Sequence, residues 1–133
     1  MTEALRRTVF VDGNNVMGAA VAGWWRDPPA AVMRLFKRLQ CYQAATGDEV
    51  VLVLDVPHPD LDEADHDGVA VRYATRRGRD AADERILELL DEGAPGPVQV
   101  ITSDRALADG ARQRGASVTG AGAFLRRLHD TAC

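Results

Sequence analysis

Short apolar runs rich in β-branched residues alternate along this chain with stretches of helical periodicity, and that alternation leaves few folds open. The runs fall at residues 7–11, 50–54, 69–74, 98–102 and 116–119. Their alternation with the helical stretches predicts a parallel sheet covered by helices on both faces. Between the first two runs, Pro28 and Pro29 suit a helix start. Val32, Leu35, Phe36, Leu39 and Tyr42 then recur at helical spacing up to Gly47. Further helices are predicted over 80–92, 104–114 and 121–128, the second stopping at Gly115 and the last presenting Phe124, Leu125 and Leu128 on one face. The acidic, proline-broken segment 57–68 reads as an irregular, solvated loop. With 133 residues, 46% of them hydrophobic, the chain is expected to be one α/β domain over 1–133, an open parallel sheet of about five strands.

Charge and small motifs narrow the function classes. Sixteen basic against twenty acidic residues give a net charge of -4, which disfavours coating of long nucleic acid. It does not disfavour a metal-dependent nuclease, whose site requires clustered carboxylates. No window approaches the roughly 18 to 20 apolar residues of a membrane span. Glu3, Arg6 and Arg7 interrupt the start of the chain where a secretory signal needs apolar residues. Cys41 and Cys133 have no metal-ligand spacing and build no disulfide framework, so a reducing, cytoplasmic setting is expected. There is no GxxxxGK, and Gly120-Ala-Gly122 lacks a third glycine, so no nucleotide cofactor is expected.

The acids carry the chemistry. Asp12, Asp55 and Asp104 each close a predicted strand, and in an open parallel sheet the carboxyl ends of the strands share one edge. Asp80 and Asp83 follow the third strand to the same edge, three apart on a helix. Like charges packed so closely repel, and a hard divalent cation, Mg²⁺ or Mn²⁺, resolves the conflict. Water acidified by such an ion can attack a phosphodiester, so phosphodiester hydrolysis is the chemistry expected. Each acid also has a structural explanation: Asp80 and Asp104 as helix N-caps, Asp55 as a strand end before Pro57. Asp12, followed by Gly-Asn-Asn, demands a tight turn or a polar site.

In order and spacing, VFVDGNNVMG, GRDAADERILELL, VQVITSDRAL and RGASVTGAGAFLRRL resemble the NYN branch of PIN-like ribonucleases, and within it the YacP-like proteins. The resemblance spans nearly the whole chain. It implies a PIN-like, Rossmannoid domain that binds Mg²⁺ or Mn²⁺ and cuts single-stranded or locally unpaired RNA as an endoribonuclease. By position, Asp12 matches the first metal acid, Asn14 the polar residue beside it, and Asp104 the acid after the fourth strand. Asp80 and Asp83 both match a middle acid, Asp83 being preferred. The implied catalytic set is Asp12, Asn14, Asp83 and Asp104, with Asp12, Asp80, Asp83 and Asp104 on the metal and Asp55 as a further site acid. Arg105 stands where many PIN domains carry another acid, with Asp109 a turn later, which leaves a second ion open.

Arg72, Arg76, Arg77 and Arg79 lie between the third strand and the acidic helix, and the last three are candidates to bind RNA phosphates. Trp24 and Trp25 could stack on bases or pack in the core. His58 and His66, among the acids of 57–68, could form a transition-metal site or belong to a solvated loop. Two alternatives to the nuclease stay open. One is a catalytically inactive module that binds RNA or the ribosome. The other is a haloacid-dehalogenase-type phosphatase, since VFVDGN partly mimics its nucleophile motif, although position 14 is Asn where its general acid belongs.

Overall fold

The run Thr8–Asp12 forms strand β1, and all five of its residues are buried. It is central because it pairs on both sides, in parallel with β2 (Glu49–Leu54) and with β5 (Val98–Ile101). The structure, a computed structural model, describes residues 6–20, 23–78 and 80–131. Strands β3 (Asp65–His66), β4 (Val69–Tyr73) and β6 (Ser117–Thr119) complete a six-stranded sheet in the order β3-β4-β2-β1-β5-β6, in which β3 alone is antiparallel.

Side-chain alternation distributes the core between the two faces. Val9 and Val11 of β1, with Val50, Leu52 and Leu54 of β2, pack on one side against α1 (Gly13–Ala20), α2 (Pro28–Thr46) and α5 (Ala121–Asp130). Phe10 and Val53 point the other way, against α3 (Ala81–Glu92) and α4 (Arg105–Gln113). The expected α/β architecture with helices on both faces is the one observed. Helix α2 buries the predicted stripe of Val32, Leu35, Phe36, Leu39 and Tyr42. It starts on an Asp27 cap that accepts from the Ala30 N–H at 3.2 Å and stops at Gly47, whose left-handed φ of 74° only glycine adopts freely.

Three features depart from the sequence reading. A helix, α1, begins directly after Asp12, so of the two readings of Gly-Asn-Asn the tight turn is not the one observed. It buries only Gly13, Val16 and Met17, too few residues to show a periodic stripe. Gly13 is required there by close approach: a Cβ would stand 2.6 Å from Leu54 Cδ2 and 3.0 Å from the Val53 carbonyl oxygen. The second departure is the segment 57–68, which is pinned rather than freely solvated. Its His58 and Leu61 are buried, the Tyr73 hydroxyl accepts from the His58 N–H at 3.1 Å and donates to the Leu61 carbonyl, and Glu63 accepts from the Tyr73 N–H at 2.7 Å. The segment ends in the β3–β4 hairpin, turned by Asp67 and Gly68 with φ of 52° and 92°. An Asp-Gly pair between strands is the signal for such a turn, and it could have been read from the sequence. Third, Cys41 is in a disulfide, which removes the support that the cysteines lent to a reducing setting; Cys133 lies outside the described residues. Among the described residues no helix is long and apolar enough to cross a membrane.

Candidate active site

The C-terminal edge of the sheet gathers the acids. Asp12, Asn14, Asn15, Asp55, Asp80, Asp83 and Asp104 line one cavity of about 210 Å³, with Ala82 as its apolar wall. Three strand ends and the starts of α1 and α3 supply them, so residues up to 92 positions apart in sequence face a common space. All four residues predicted to hold a metal, together with Asp55 and Asn14, are therefore brought together.

Each acid is held differently. Asp12, the last residue of β1, is 4% exposed, and its Oδ2 accepts from the Thr102 hydroxyl at 2.9 Å. Burial pushes its carboxyl up to about 6 against the opposing pull of Thr102 and the Asn15 backbone, and the charges of Asp55 and Asp104 add to the rise. The Thr102 hydroxyl is fixed in turn by accepting the Asp104 N–H at 3.1 Å. Asp104 caps α4, taking the Leu107 N–H on Oδ1 at 2.8 Å. Its structural reading is thus correct, and Asp104 lines the cavity as well.

Asp55 takes the Ala82 N–H on Oδ1 at 3.0 Å and so caps α3 from the end of β2. Burial raises its carboxyl, the Ala82 bond opposes this, and the charge of Asp80 adds to it. Asp80, although it occupies the N-cap position of α3, makes no capping hydrogen bond with its side chain, so its expected capping role is filled by Asp55. Asp83, one turn into α3, is pushed up to about 7, by burial first and then by Asp12, Asp104, Asp80 and Asp55 in that order. The carboxyl that senses all four neighbours marks the focus of the negative field.

The asparagines divide the work. Asn14 Oδ1 accepts the Asp55 N–H at 3.1 Å, which ties α1 to β2. Asn15 Oδ1 accepts the Ser103 N–H at 2.8 Å, which ties α1 to the segment after β5. Asn15 and Thr102 were missed by sequence reading. The second asparagine of Gly-Asn-Asn was a visible clue to the first of these; nothing marked the other.

Other predicted residues fall elsewhere. Arg105 lines a separate cavity of about 550 Å³ with Thr102, Ser103, Asp109, Arg112 and Gly120, and Asp109 pairs with Arg112 at 3.6 Å. Neither Arg105 nor Asp109 therefore lines the carboxylate cavity. Arg76 and Arg77 are exposed, Arg76 standing 3.6 Å from Glu84; Arg79 lies outside the described residues. The Arg72 guanidinium donates to the Val71 carbonyl at 2.9 Å. His58 has both ring nitrogens occupied: Nδ1 accepts from the Asp60 N–H at 2.9 Å, which leaves the proton on Nε2 to donate to the Pro29 carbonyl at 3.2 Å. His66 Nε2 bonds the Asp62 carbonyl at 2.8 Å, and its ring meets Phe36 edge-on. The histidines brace the loop rather than form a transition-metal site.

Among the described residues no group of three or more His, Cys, Asp or Glu side chains is arranged to hold a metal ion. The donor set of the cavity is nonetheless all oxygen, anionic and open to solvent. Such a set suits a cation that retains waters and takes one or two carboxylates, as Mg²⁺ does, and not a caged or soft one.

A model of the YacP-like NYN domain matches residues 9–132. Two crystal structures of Rae1 (YacP) from Bacillus subtilis are similar to this chain. One is 28% identical with a TM-score of 0.72, covering 92% of this chain and 73% of that one. The other, a mutant form, is 27% identical with a TM-score of 0.71, covering 92% and 75%. No curated protein matches.

Proposed function

Because this chain belongs to the YacP-like NYN family, a branch of the PIN-like ribonucleases, we propose that it is a Mg²⁺- or Mn²⁺-dependent endoribonuclease that cuts single-stranded or locally unpaired RNA. The observation that carries the reading is the convergence of Asp12, Asp55, Asp80, Asp83 and Asp104 on one cavity. Carboxylates buried, and then crowded by one another, until one is pushed up to about 7 are costly without a cation, and their cost is explained if a cation is the purpose. One or two of Asp12, Asp83 and Asp104 would hold the ion directly and the rest through its waters, with Asp80 at the exposed rim. When bound, the ion would neutralise phosphate charge and lower the pKa of a water.

The protein's own groups prepare that site. Thr102 fixes the rotamer of Asp12 through a hydroxyl that the Asp104 backbone orients. Asn14 spends its oxygen on Asp55, which leaves its Nδ2 donor to meet a phosphate or ligand. Arg76 and Arg77, exposed ahead of α3, would meet the flanking phosphates. RNA is its proposed partner. Against the phosphatase alternative, position 14 offers an amide whose oxygen is bonded to backbone, and no general acid.

The test is cleavage of an end-labelled, unstructured RNA with Mn²⁺, with Mg²⁺ and with EDTA. Internal cuts that EDTA abolishes support the proposal. RNA or ribosome binding indifferent to EDTA, with no cleavage under any divalent metal, would establish the inactive module instead.

A further inference from the structure

A second cavity abuts the carboxylate one and has the opposite character. It encloses about 360 Å³ between Asn14, Trp24, Pro29, Leu54, Val56 and His58, and Asn14 belongs to both cavities. None of its lining residues is charged. Trp24 sits on a short 3₁₀ turn (Trp24–Arg26) and leans on the core while remaining partly open, and Val56 beside it is 71% exposed. An open apolar surface that includes an indole, next to crowded carboxylates, invites an explanation by a ligand.

The occupant must be uncharged, planar or apolar, and joined to an anion that belongs at the neighbouring site. An RNA base attached to the scissile phosphate meets each condition. We propose that this cavity is a nucleobase subsite, in which a base flanking the cut stacks against Trp24. The proposal rests on the ribonuclease reading and extends it to the substrate's bases. His58 cannot read the base, since both its nitrogens are engaged. Nδ2 of Asn14 is the directional donor at the boundary, and every base offers it an acceptor, pyrimidine O2 or purine N3. The subsite therefore requires a base while selecting weakly among bases, as stacking platforms do.

The chain has two tryptophans, so Trp25→Phe leaves Trp24 as the sole indole. That variant is titrated in Ca²⁺ with an unstructured hexaribonucleotide, and with hexamers carrying one abasic ribose at successive positions. The intact hexamer is expected to quench Trp24 emission, and an abasic ribose at one position to weaken binding about tenfold. Trp24→Ala should weaken the intact hexamer equally and erase the abasic difference, while Trp24→Phe preserves much of it. The abasic comparison uses an unaltered indole, so it does not depend on Trp24→Ala folding. Unchanged emission with equal affinity at every abasic position overturns the subsite. An emission change that follows protein concentration alone, without response to RNA, gives the cavity to a second copy and also overturns it. Cleavage of the same hexamers with Mn²⁺ separates the two readings. Equal cleavage of intact and abasic RNA defeats the subsite alone, and base-dependent quenching without cleavage defeats the nuclease alone.

Discussion

The Asp55 carboxylate accepts the Ala82 N–H at 3.0 Å, so the end of β2 caps a helix that begins more than twenty residues further along the chain. That bond sets the position of α3 over the sheet edge, and with it Asp80 and Asp83. It separates two roles for Asp55 that one substitution alone would confuse. Asp55→Ala should lose about 1 kcal/mol of stability, the usual worth of a cap. Asp55→Asn keeps an acceptor and removes a charge, so it should unfold at the same or higher urea concentration in EDTA. Equal losses in both would show that the carboxylate matters through its charge and not its cap.

Stability should depend on pH with a definite sign. Asp12 and Asp83 hold their protons up to about 6 and about 7 in the folded state, against 3.8 ordinarily. Between about pH 4 and 7 the native chain therefore binds more protons than the unfolded one, and stability falls as pH rises through that window. In EDTA, the contribution of these two groups makes Tm lower at pH 8 than at pH 5. Saturating Mn²⁺ should reverse the difference at pH 8, adding about 2.7 kcal/mol at a hundredfold excess over Kd. Asp83→Asn should flatten the apo profile. A Tm at pH 8 indifferent to millimolar Mg²⁺ and Mn²⁺ would count against an ion in this cavity.

Asp104 is both cap and site acid, and the two can be separated. Asn is a good N-cap, so Asp104→Asn should melt with the wild type yet lose Mn²⁺-dependent cleavage. Asp104→Ala should lose cleavage and about 1 kcal/mol as well. Cleavage retained by Asp104→Asn would remove this residue from the metal set.

The two acids of α3 should differ. Asp83 senses Asp12, Asp104, Asp80 and Asp55, whereas Asp80 is exposed at the rim. Asp83→Asn is expected to reduce cleavage far more than Asp80→Asn, measured as initial rates on one RNA in Mn²⁺. Equal, mild effects would move the ion away from this helix.

Much of this was readable in the chain. The sheet and four of the helices follow from period and from breakers such as Pro28 and Gly47, because their stripes are long. Helix α1 escaped, since eight residues burying Gly13, Val16 and Met17 show no stripe. The acids were legible because strand ends in a parallel sheet share an edge. The roles of Thr102 and Asn15 were not, because a hydroxyl or amide that orients a neighbour has no spacing rule in sequence. Asp55 capping α3 is likewise a long-range contact, invisible until the strand and helix are placed.

Phosphate contacts by Arg76 and Arg77 should show in salt dependence. Each contact adds about 0.7 to the slope of log affinity against log salt for a single strand, so the double alanine variant should flatten it by about 1.4. The Mn²⁺-induced melting shift should survive, because a guanidinium does not ligate cations. An unchanged slope would place the RNA track elsewhere, with Arg105 and Arg112 beside the larger cavity as the next candidates.

The central claim is that the carboxylate cavity holds a divalent cation, and anomalous scattering from crystals grown with Mn²⁺ tests it most directly. The account predicts a peak between Asp12, Asp83 and Asp104 that is absent from Asp12→Asn crystals. Crystals with ordered Mn²⁺ elsewhere on the surface and none in this cavity, at concentrations that support RNA cleavage, would contradict it.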